Sequence, residues 1–312
     1  MIDLSIVIVS WNVRSYLADC LRSVFAELNH SNLRGEVWVI DNDSTDGTVD
    51  MVRNLFPEVR LIVNEGNPGF GAANNQGMKA ADPSEPRYHF LLNPDTVVRS
   101  GAFGKMVAFM DTNQNVGMTG ARLVYGDGRF QHSAFEFPRI GQLLFDLFPV
   151  PSRLYESKMN GRYPRKLYDP NHKAFPIDHP LGATMLVRRD VAQETGGFDE
   201  MFFMYCEELD WCRRIHAAGW DIYTVPAAEI VHYGGESTRQ VPARSIVNLW
   251  ESRARFYQRH YGVLVNKIAS YIVCKGMKLR IRNTAEPEFV QAYQEVVSIW
   301  SRPTKSSDSK YS

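Results

Sequence analysis

Short runs of consecutive apolar, β-branched residues alternate with segments of helical apolar spacing from Ser5 to Met110. Ser5–Val9 reads as a buried strand. Val13–Leu28 repeats apolar positions near every 3.6 residues, the pattern of a helix packed on a sheet. Val37–Ile40 predicts a second strand, Thr48–Leu55 a helix, and Val59–Val63 a third strand. Gly71–Ala80 predicts a helix entered through a glycine-rich turn, Phe90–Leu92 a fourth strand, and Gly101–Met110 another helix. This order implies an α/β fold with a doubly wound, mainly parallel sheet and flanking helices. Between about Phe130 and His179 the periodicity fades into a segment rich in Pro, Tyr, Phe and Arg. An irregular insert of that length in a compact domain is functional or mobile. Regular pattern returns as a strand at Thr184–Val187, an acidic helix around Glu207–Ala218, a short strand at Ile222–Val225, and helix from Ser245 onward. The expected division is a sheet-based unit over 1–240, a helical extension over 241–300 and a disordered polar tail over 301–312.

Charge and cysteine content narrow the partners. Lys+Arg and Asp+Glu are equal at 35 each, so no global field favours nucleic acid. The one local imbalance lies between Ser252 and Thr284. Arg253, Arg255, Arg259, Lys267, Lys275, Lys278, Arg280 and Arg282 stand there among aromatic and aliphatic residues without a single Asp or Glu. That composition suits a helix on an anionic membrane, or a basic helix packed on its own catalytic unit. No stretch approaches the roughly 18 uncharged apolar residues of a membrane span. The N-terminus runs directly into a strand without the basic and small-residue features of a signal peptide. The expected location is the cytoplasm, peripheral on the cytoplasmic face of the inner membrane. Cys20, Cys206, Cys212 and Cys274 show neither CxxC spacing nor a histidine at zinc-ligand distance, and read as reduced. Cys206, next to Glu207, is expected to line a pocket.

Four polar clusters fall where strands end, and ligands in open α/β sheets bind outside the carboxyl ends of strands. In Asp41-Asn42-Asp43-Ser44-Thr45-Asp46-Gly47-Thr48, the Asp41 carboxylate can accept hydrogen bonds from a base imide or a ribose hydroxyl. The same residues also make a well-capped turn with no ligand. The run Asn67–Gly77 lacks the GxGxxG spacing and follows the third strand, which excludes a dinucleotide fingerprint. Its small residues let a helix approach a ligand, and Asn74 and Asn75 could bond sugar or phosphate. A glycine-rich helix start on the sheet accounts for it equally. Asn93-Pro94-Asp95 offers two oxygen ligands to Mg²⁺ or Mn²⁺, or an Asx-Pro turn. Glu207, Glu208 and Asp210 crowd three carboxylates into four residues, which raises at least one pKa and suits a general base. An exposed acidic first turn is the alternative, and Phe202, Phe203, Tyr205 and Trp211 argue against exposure. His232, before Gly234 and Gly235, is by itself uninformative. Two acidic clusters without neighbouring lysines suit a divalent cation holding a phosphorylated ligand, as in a nucleotide-sugar enzyme.

Together with Val9-Ser10-Trp11-Asn12, Gly182–Arg189 and VHYGGEST, these motifs resemble the family 2 inverting glycosyltransferases of the GT-A fold. The likeness is to the bacterial rhamnosyltransferase-like branch and runs from Ser5 to about Ser237. It implies transfer of a hexose from a nucleotide sugar, L-rhamnose from dTDP-L-rhamnose or another dTDP- or UDP-linked sugar. The acceptor would be a saccharide or lipid-linked saccharide in cell-surface polysaccharide synthesis. It implies donor contacts from Ser10, Asn12, Asp41, Asn67, Gly71, Asn74, Asn75, Asn93, Asp95, Gly182 and Ala183. Asp95 matches the metal-holding aspartate, with Asn93 replacing the first Asp of the DxD motif. His232 matches the histidine that completes the Mg²⁺ or Mn²⁺ site. Glu208 falls on the catalytic base, with Glu207 and Asp210 as alternatives because Glu stands where Asp is usual. The acceptor would be read by the Phe130–His179 insert. A single inverting displacement needs no enzymatic nucleophile, and no Ser-His or Cys-His pair is evident. The competing readings are a non-catalytic nucleotide-sugar scaffold, which would have lost these carboxylates, and a nucleotidyltransferase, which would carry a basic glycine-rich loop where Ser10–Arg14 stands.

Overall fold

A computed structural model describes residues 2–236 and 238–302. The first half alternates as expected: β1 (Leu4–Ser10), α1 (Arg14–Ser31), β2 (Gly35–Asp41), α2 (Thr48–Leu55), β3 (Arg60–Val63), α3 (Phe70–Ala81) and β4 (Tyr88–Leu92). There follow β5 (Thr96–Val98), α4 (Ala102–Thr112) and β6 (Val116–Val124). The irregular insert carries β7 (Phe130–Gln131), β8 (Ala134–Phe135), α5 (Ile140–Leu147), α6 (Ser152–Tyr155), β9 (Phe175–Pro176) and β10 (His179–Pro180). The chain continues through β11 (Thr184–Arg188), α7 (Arg189–Thr195), α8 (Glu207–Ala217) and β12 (Asp221–His232). It closes with α9 (Pro242–His260), α10 (Val263–Arg282) and α11 (Pro287–Ser301). Of the expected disordered tail, Ser301 ends α11, and 303–312 lie outside the described residues.

The main sheet runs β3-β2-β1-β4-β11-β6-β12-β5. The pairs β3–β2, β2–β1, β1–β4 and β6–β12 are parallel, whereas β11 is antiparallel to both its neighbours and β5 to β12. The sheet is therefore mainly parallel but mixed. Helices α1, α2 and α4 bury Leu17, Leu21, Met51, Phe103 and Met106 on one face. Helices α3, α7 and α8 bury Ala73, Val191, Trp211 and Ile215 on the other.

Two strands exceed the expectation for physical reasons. β6 reads poorly as a strand because Gly117 and Gly120 interrupt it, yet both glycines answer close approach. A methyl at Gly117 would lie 2.9 Å from Trp220, and one at Gly120 2.7 Å from Pro180. β12 does not stop at Val225. Its pairing with β6 shifts register between Val225 and Glu229, across Pro226, and then continues to His232. Pro lacks the N–H the ladder requires, so the strand bulges there and resumes. That continuation delivers His232 to Thr96 of β5, directly after Asp95.

The helical segment breaks at Tyr261 and Gly262 into α9 and α10. Helices α5 and α9–α11 share a third apolar cluster with Phe202, Cys206 and Leu209, just ahead of and within α8.

Candidate active site

Strands β1, β2 and β4 end together. In the parallel β1–β2 ladder Ser10 stands beside Asp41, and Asn93 directly follows β4. Strand order reverses around β1, which leaves a crevice at these carboxyl ends. There a cavity of about 230 Å³ is lined by Asn67, Asn93, Asp95, Gly182, Ala183, Glu207, Glu208 and His232 among the expected residues. Trp11, Asn42, Phe70, Pro94, Met204, Tyr205 and Glu236 complete much of the wall. Segments from the first strand to the end of the last thus converge on one volume.

Asp95 and His232 form one wall. His232 Nε2 faces Asp95 Oδ1 at 3.4 Å, and the Gly234 N–H donates to Asp95 Oδ2 at 3.1 Å. On its other side His232 Nδ1 lies 3.2 Å from Gln131 Oε1. Neither His232 Nε2 nor the buried Asn93 Oδ1 has a hydrogen-bond partner. Burial pushes the Asp95 carboxyl up, but the His232 ring and nearby backbone N–H groups outweigh it and hold the carboxyl below its ordinary value. Unpaired oxygen and nitrogen acceptors around an ionised carboxylate are a donor set for a divalent cation. Among the described residues no group of three or more His, Cys, Asp or Glu could hold a metal by itself. The set fits a cation that takes its remaining ligands from a diphosphate and water.

Glu207 and Glu208, on the first turn of α8, line the same cavity. Tyr205 (φ 69°) and Cys206 (φ 65°) are both left-handed immediately before them. Glu207 is 5% exposed, whereas Glu208 is partly open to the cavity. One oxygen of each carboxyl is buried without a partner. Burial pushes the Glu207 carboxyl well up, and the Glu208 charge beside it adds to the effect. Burial likewise raises Glu208, to about 7, against the opposing pull of backbone N–H groups at the helix start. A methyl at Gly182 would lie 3.7 Å from the Glu208 side chain, an ordinary contact, so Gly182 borders this carboxyl directly.

The remaining expected residues lie outside the cavity wall. Asp210 is fully buried on another side of α8, with Arg214 Nε 2.9 Å and His260 Nε2 2.8 Å away. Burial raises its carboxyl, but the His260 hydrogen bond and the Arg214 and Arg259 charges carry it below its ordinary value. It is a buried anion paired with Arg214, Arg259 and His260. Asn75 clamps the Phe198 backbone, and Asn74 donates to the Phe70 carbonyl one turn back. Gly71 packs against Phe198 and Glu207. Asn12 (φ 52°) accepts from the Thr45 N–H at 2.7 Å and lines an adjoining open groove of about 810 Å³ with Arg14 and Asp46. Ser10 and Asp41 are fully buried behind the wall, and Ser10 Oγ and Asp41 Oδ2 have no partner. Burial raises the Asp41 carboxyl despite the Ser44 N–H bonded to it. Cys206 is buried in the third apolar cluster rather than lining the cavity, and all four cysteines are free thiols. Sequence reasoning misses Asn42, which links Asn67 and Asn64 in a chain of side-chain amides at the cavity edge. Its place directly after Asp41 is the available signal.

Residues 5–196 match the family model described as Glycosyl transferase family 2. The chain belongs to glycosyl transferase family 2. The relatives of this glycosyltransferase include the N-acetylglucosaminyl-diphospho-decaprenol L-rhamnosyltransferase of Mycobacterium tuberculosis, 31% identical over 72% of this chain and 76% of that one. Rhamnosyltransferase WbbL of Escherichia coli is 24% identical over 84% of this chain and 95% of its own length. Among solved structures, GalNAc-T7 with UDP, GalNAc and Mn²⁺ superposes with a TM-score of 0.58 at 15% identity, over 96% of this chain and 56% of that one. The mannosyltransferase PcManGT of Pyrobaculum calidifontis with GDP-Man and Mn²⁺ gives 0.52 at 16% identity, over 95% and 69%. The fold of this family 2 transferase is GT-A.

Proposed function

We propose that this glycosyltransferase moves L-rhamnose from dTDP-L-rhamnose to a saccharide or lipid-linked saccharide in cell-surface glycan synthesis. The observation that carries the reading is one cavity lined both by a metal-type pair, Asp95 and His232, and by a raised carboxyl, Glu208. The rhamnosyltransferase relatives support the donor, and the mycobacterial relative's name supports a lipid-diphosphate sugar as acceptor. Residues 1–240 are the catalytic unit and 241–300 its extension.

Glu208 accepts the proton of the acceptor hydroxyl as that oxygen bonds to the sugar C1. The C1–O bond to the diphosphate breaks on the opposite face, the nucleoside diphosphate leaves with the bonding pair, and the anomeric centre inverts. Asp95 and His232, with Asn93 beside them, would hold Mg²⁺ or Mn²⁺, whose charge would stabilise the departing diphosphate. Asn42, Asn67 and Trp11 line the nucleotide side, with Asp41 and Ser10 behind them.

The acceptor end of the reading includes an anionic membrane at the cytoplasmic leaflet. No helix among the described residues is long and apolar enough to cross a membrane. The exposed face of α10, however, carries Leu264, Ile268, Tyr271 and Leu279 together with Lys267, Lys275, Lys278 and Arg282. The basic residues of α9 are engaged inside the molecule, Arg253 with Asp146, Arg255 with Glu251 and Arg259 with Asp199. The membrane face is therefore α10 alone.

The test is release of nucleoside diphosphate from a panel of dTDP-, UDP- and GDP-sugars, with an N-acetylglucosaminyl-diphospho-lipid as acceptor. Turnover should be confined to dTDP-L-rhamnose, vanish in excess chelator and return with Mg²⁺ or Mn²⁺. Full turnover in chelator would remove the metal assignment, and preference for another sugar would remove the donor.

A further inference from the structure

The turn that presents Glu207 and Glu208 is pinned at two consecutive carbonyls by elements far apart in sequence. The Phe203 carbonyl accepts from the Phe70 N–H at the start of α3, 3.0 Å away. The Met204 carbonyl accepts from Ser252 Oγ of α9 at 2.7 Å. Immediately after these pins come Tyr205 and Cys206, at φ 69° and 65°. A left-handed residue with a side chain is unfavourable, and two in succession persist only where the surroundings over-determine them. Arg255 Nη1 of the same helix donates to the Met201 carbonyl at 2.6 Å, and Arg259 pairs with Asp199. The 199–204 segment is thus laced to α9 along its length.

Ser252 is the contact nearest the strained pair. A serine inside a helix ordinarily bonds the carbonyl three or four residues back or faces water. Ser252 is 4% exposed and instead reaches a carbonyl 48 residues away in sequence. It does not line the cavity.

We infer that Ser252 is a positioning residue. By fixing the Met204 carbonyl it holds Tyr205 and Cys206 left-handed, and so aims the Glu208 carboxylate at the acceptor hydroxyl. This rests on Glu208 being the base. The family match ends at residue 196, before the pinned turn and α9.

The experiment uses the full chain in five forms: wild type, Ser252→Ala, Ser252→Thr, Glu208→Gln, and Ser252→Ala combined with Glu208→Gln. Hydrogen–deuterium exchange needs no substrate. Ser252→Ala should speed exchange in the peptide spanning 199–209 and leave the β1–β4 sheet unchanged, while Ser252→Thr, which keeps the hydroxyl, restores protection. Assayed with dTDP-L-rhamnose and the lipid-diphosphate acceptor, Ser252→Ala should lower kcat on the order of tenfold to a hundredfold with donor KM held. The same change should cost nothing further in the Glu208→Gln background. Unchanged exchange in Ser252→Ala, or an equal loss of kcat in both backgrounds, overturns the inference. A fully active Glu208→Gln enzyme instead overturns the choice of base. Absence of any transfer by wild type overturns the donor reading, while the exchange result still decides the clamp.

Discussion

At the residue scale, the two glutamates of α8 are separated by access rather than by charge. Both are raised by burial and both line the cavity, but Glu207 is buried whereas Glu208 is partly exposed there. Glu208→Gln should therefore lower turnover on the order of 10²–10⁴-fold with donor affinity retained. Glu207→Gln should cost far less. Comparison of kcat and KM for the two variants checks this, and the reverse ranking would transfer the role. With its pKa at about 7, Glu208 sheds its proton only near neutrality, so kcat should fall as pH drops below about 7. Stability runs the other way. A carboxyl whose pKa is raised on folding binds more protons in the native state between its ordinary value and about 7. Stability is then fullest below that window and is lost as pH rises through it. Glu208→Gln should accordingly raise Tm at pH 8 and leave Tm at pH 4 nearly unchanged, as thermal unfolding at the two pH values would show. What sequence could not separate was Asp210 from its neighbours. It belongs to the same acidic cluster as Glu207, and only its burial against Arg214 and His260 sets it apart from the cavity.

At the scale of elements, the glycine-rich turn before α3 matters through backbone contact. A methyl at Gly69 would lie 2.3 Å from the Phe203 carbonyl oxygen, and Gly69 sits at φ 97°. Neither the carbonyl nor that dihedral can yield cheaply. Gly69→Ala should destabilise the protein by roughly 3 kcal/mol or more, measured by denaturant unfolding, and loosen the turn that carries Tyr205 and Cys206. An effect below about 1 kcal/mol would show that the turn relaxes freely. The alternating β and α elements between Ser5 and Met110 were legible because each strand is a short apolar run and each helix is amphipathic. β6 was not, because its glycines answer Trp220 and Pro180, contacts remote in sequence. β12 was cut short at Pro226 for a similar reason, since only the parallel partner β6 reveals that the strand resumes. Asp95, Asn93 and the Glu207–Glu208 pair were legible as strand-end and helix-start clusters. The pairing of Asp95 with His232 required the path of β12 across the sheet.

At the scale of the whole molecule, the C-terminal helices complete the apolar cluster around Phe202 and Leu209 and leave one face of α10 uncovered. Each cation near an anionic surface is worth about 1 kcal/mol, and the face carries four beside four large apolar side chains. Flotation should show binding to anionic vesicles that weakens with salt, and replacing Lys267, Lys275 and Lys278 together by Gln should release the protein. Equal binding to neutral vesicles would refute an electrostatic component. The two-sided pinning of the 203–206 turn has a further bearing, on how such enzymes can be recombined. A crossover between related transferases at residue 196 sets one parent's 203 carbonyl against the other parent's residue 69, where only glycine clears it. A crossover anywhere between 206 and 252 separates Met204 from Ser252. A seam between the sheet-bearing half and α9 therefore cuts across the contacts that hold this turn. Chimaeras intended to mix one parent's donor with another's acceptor would inherit a misfitted turn unless Gly69, Phe70, the 199–206 segment and α9 came from the same parent.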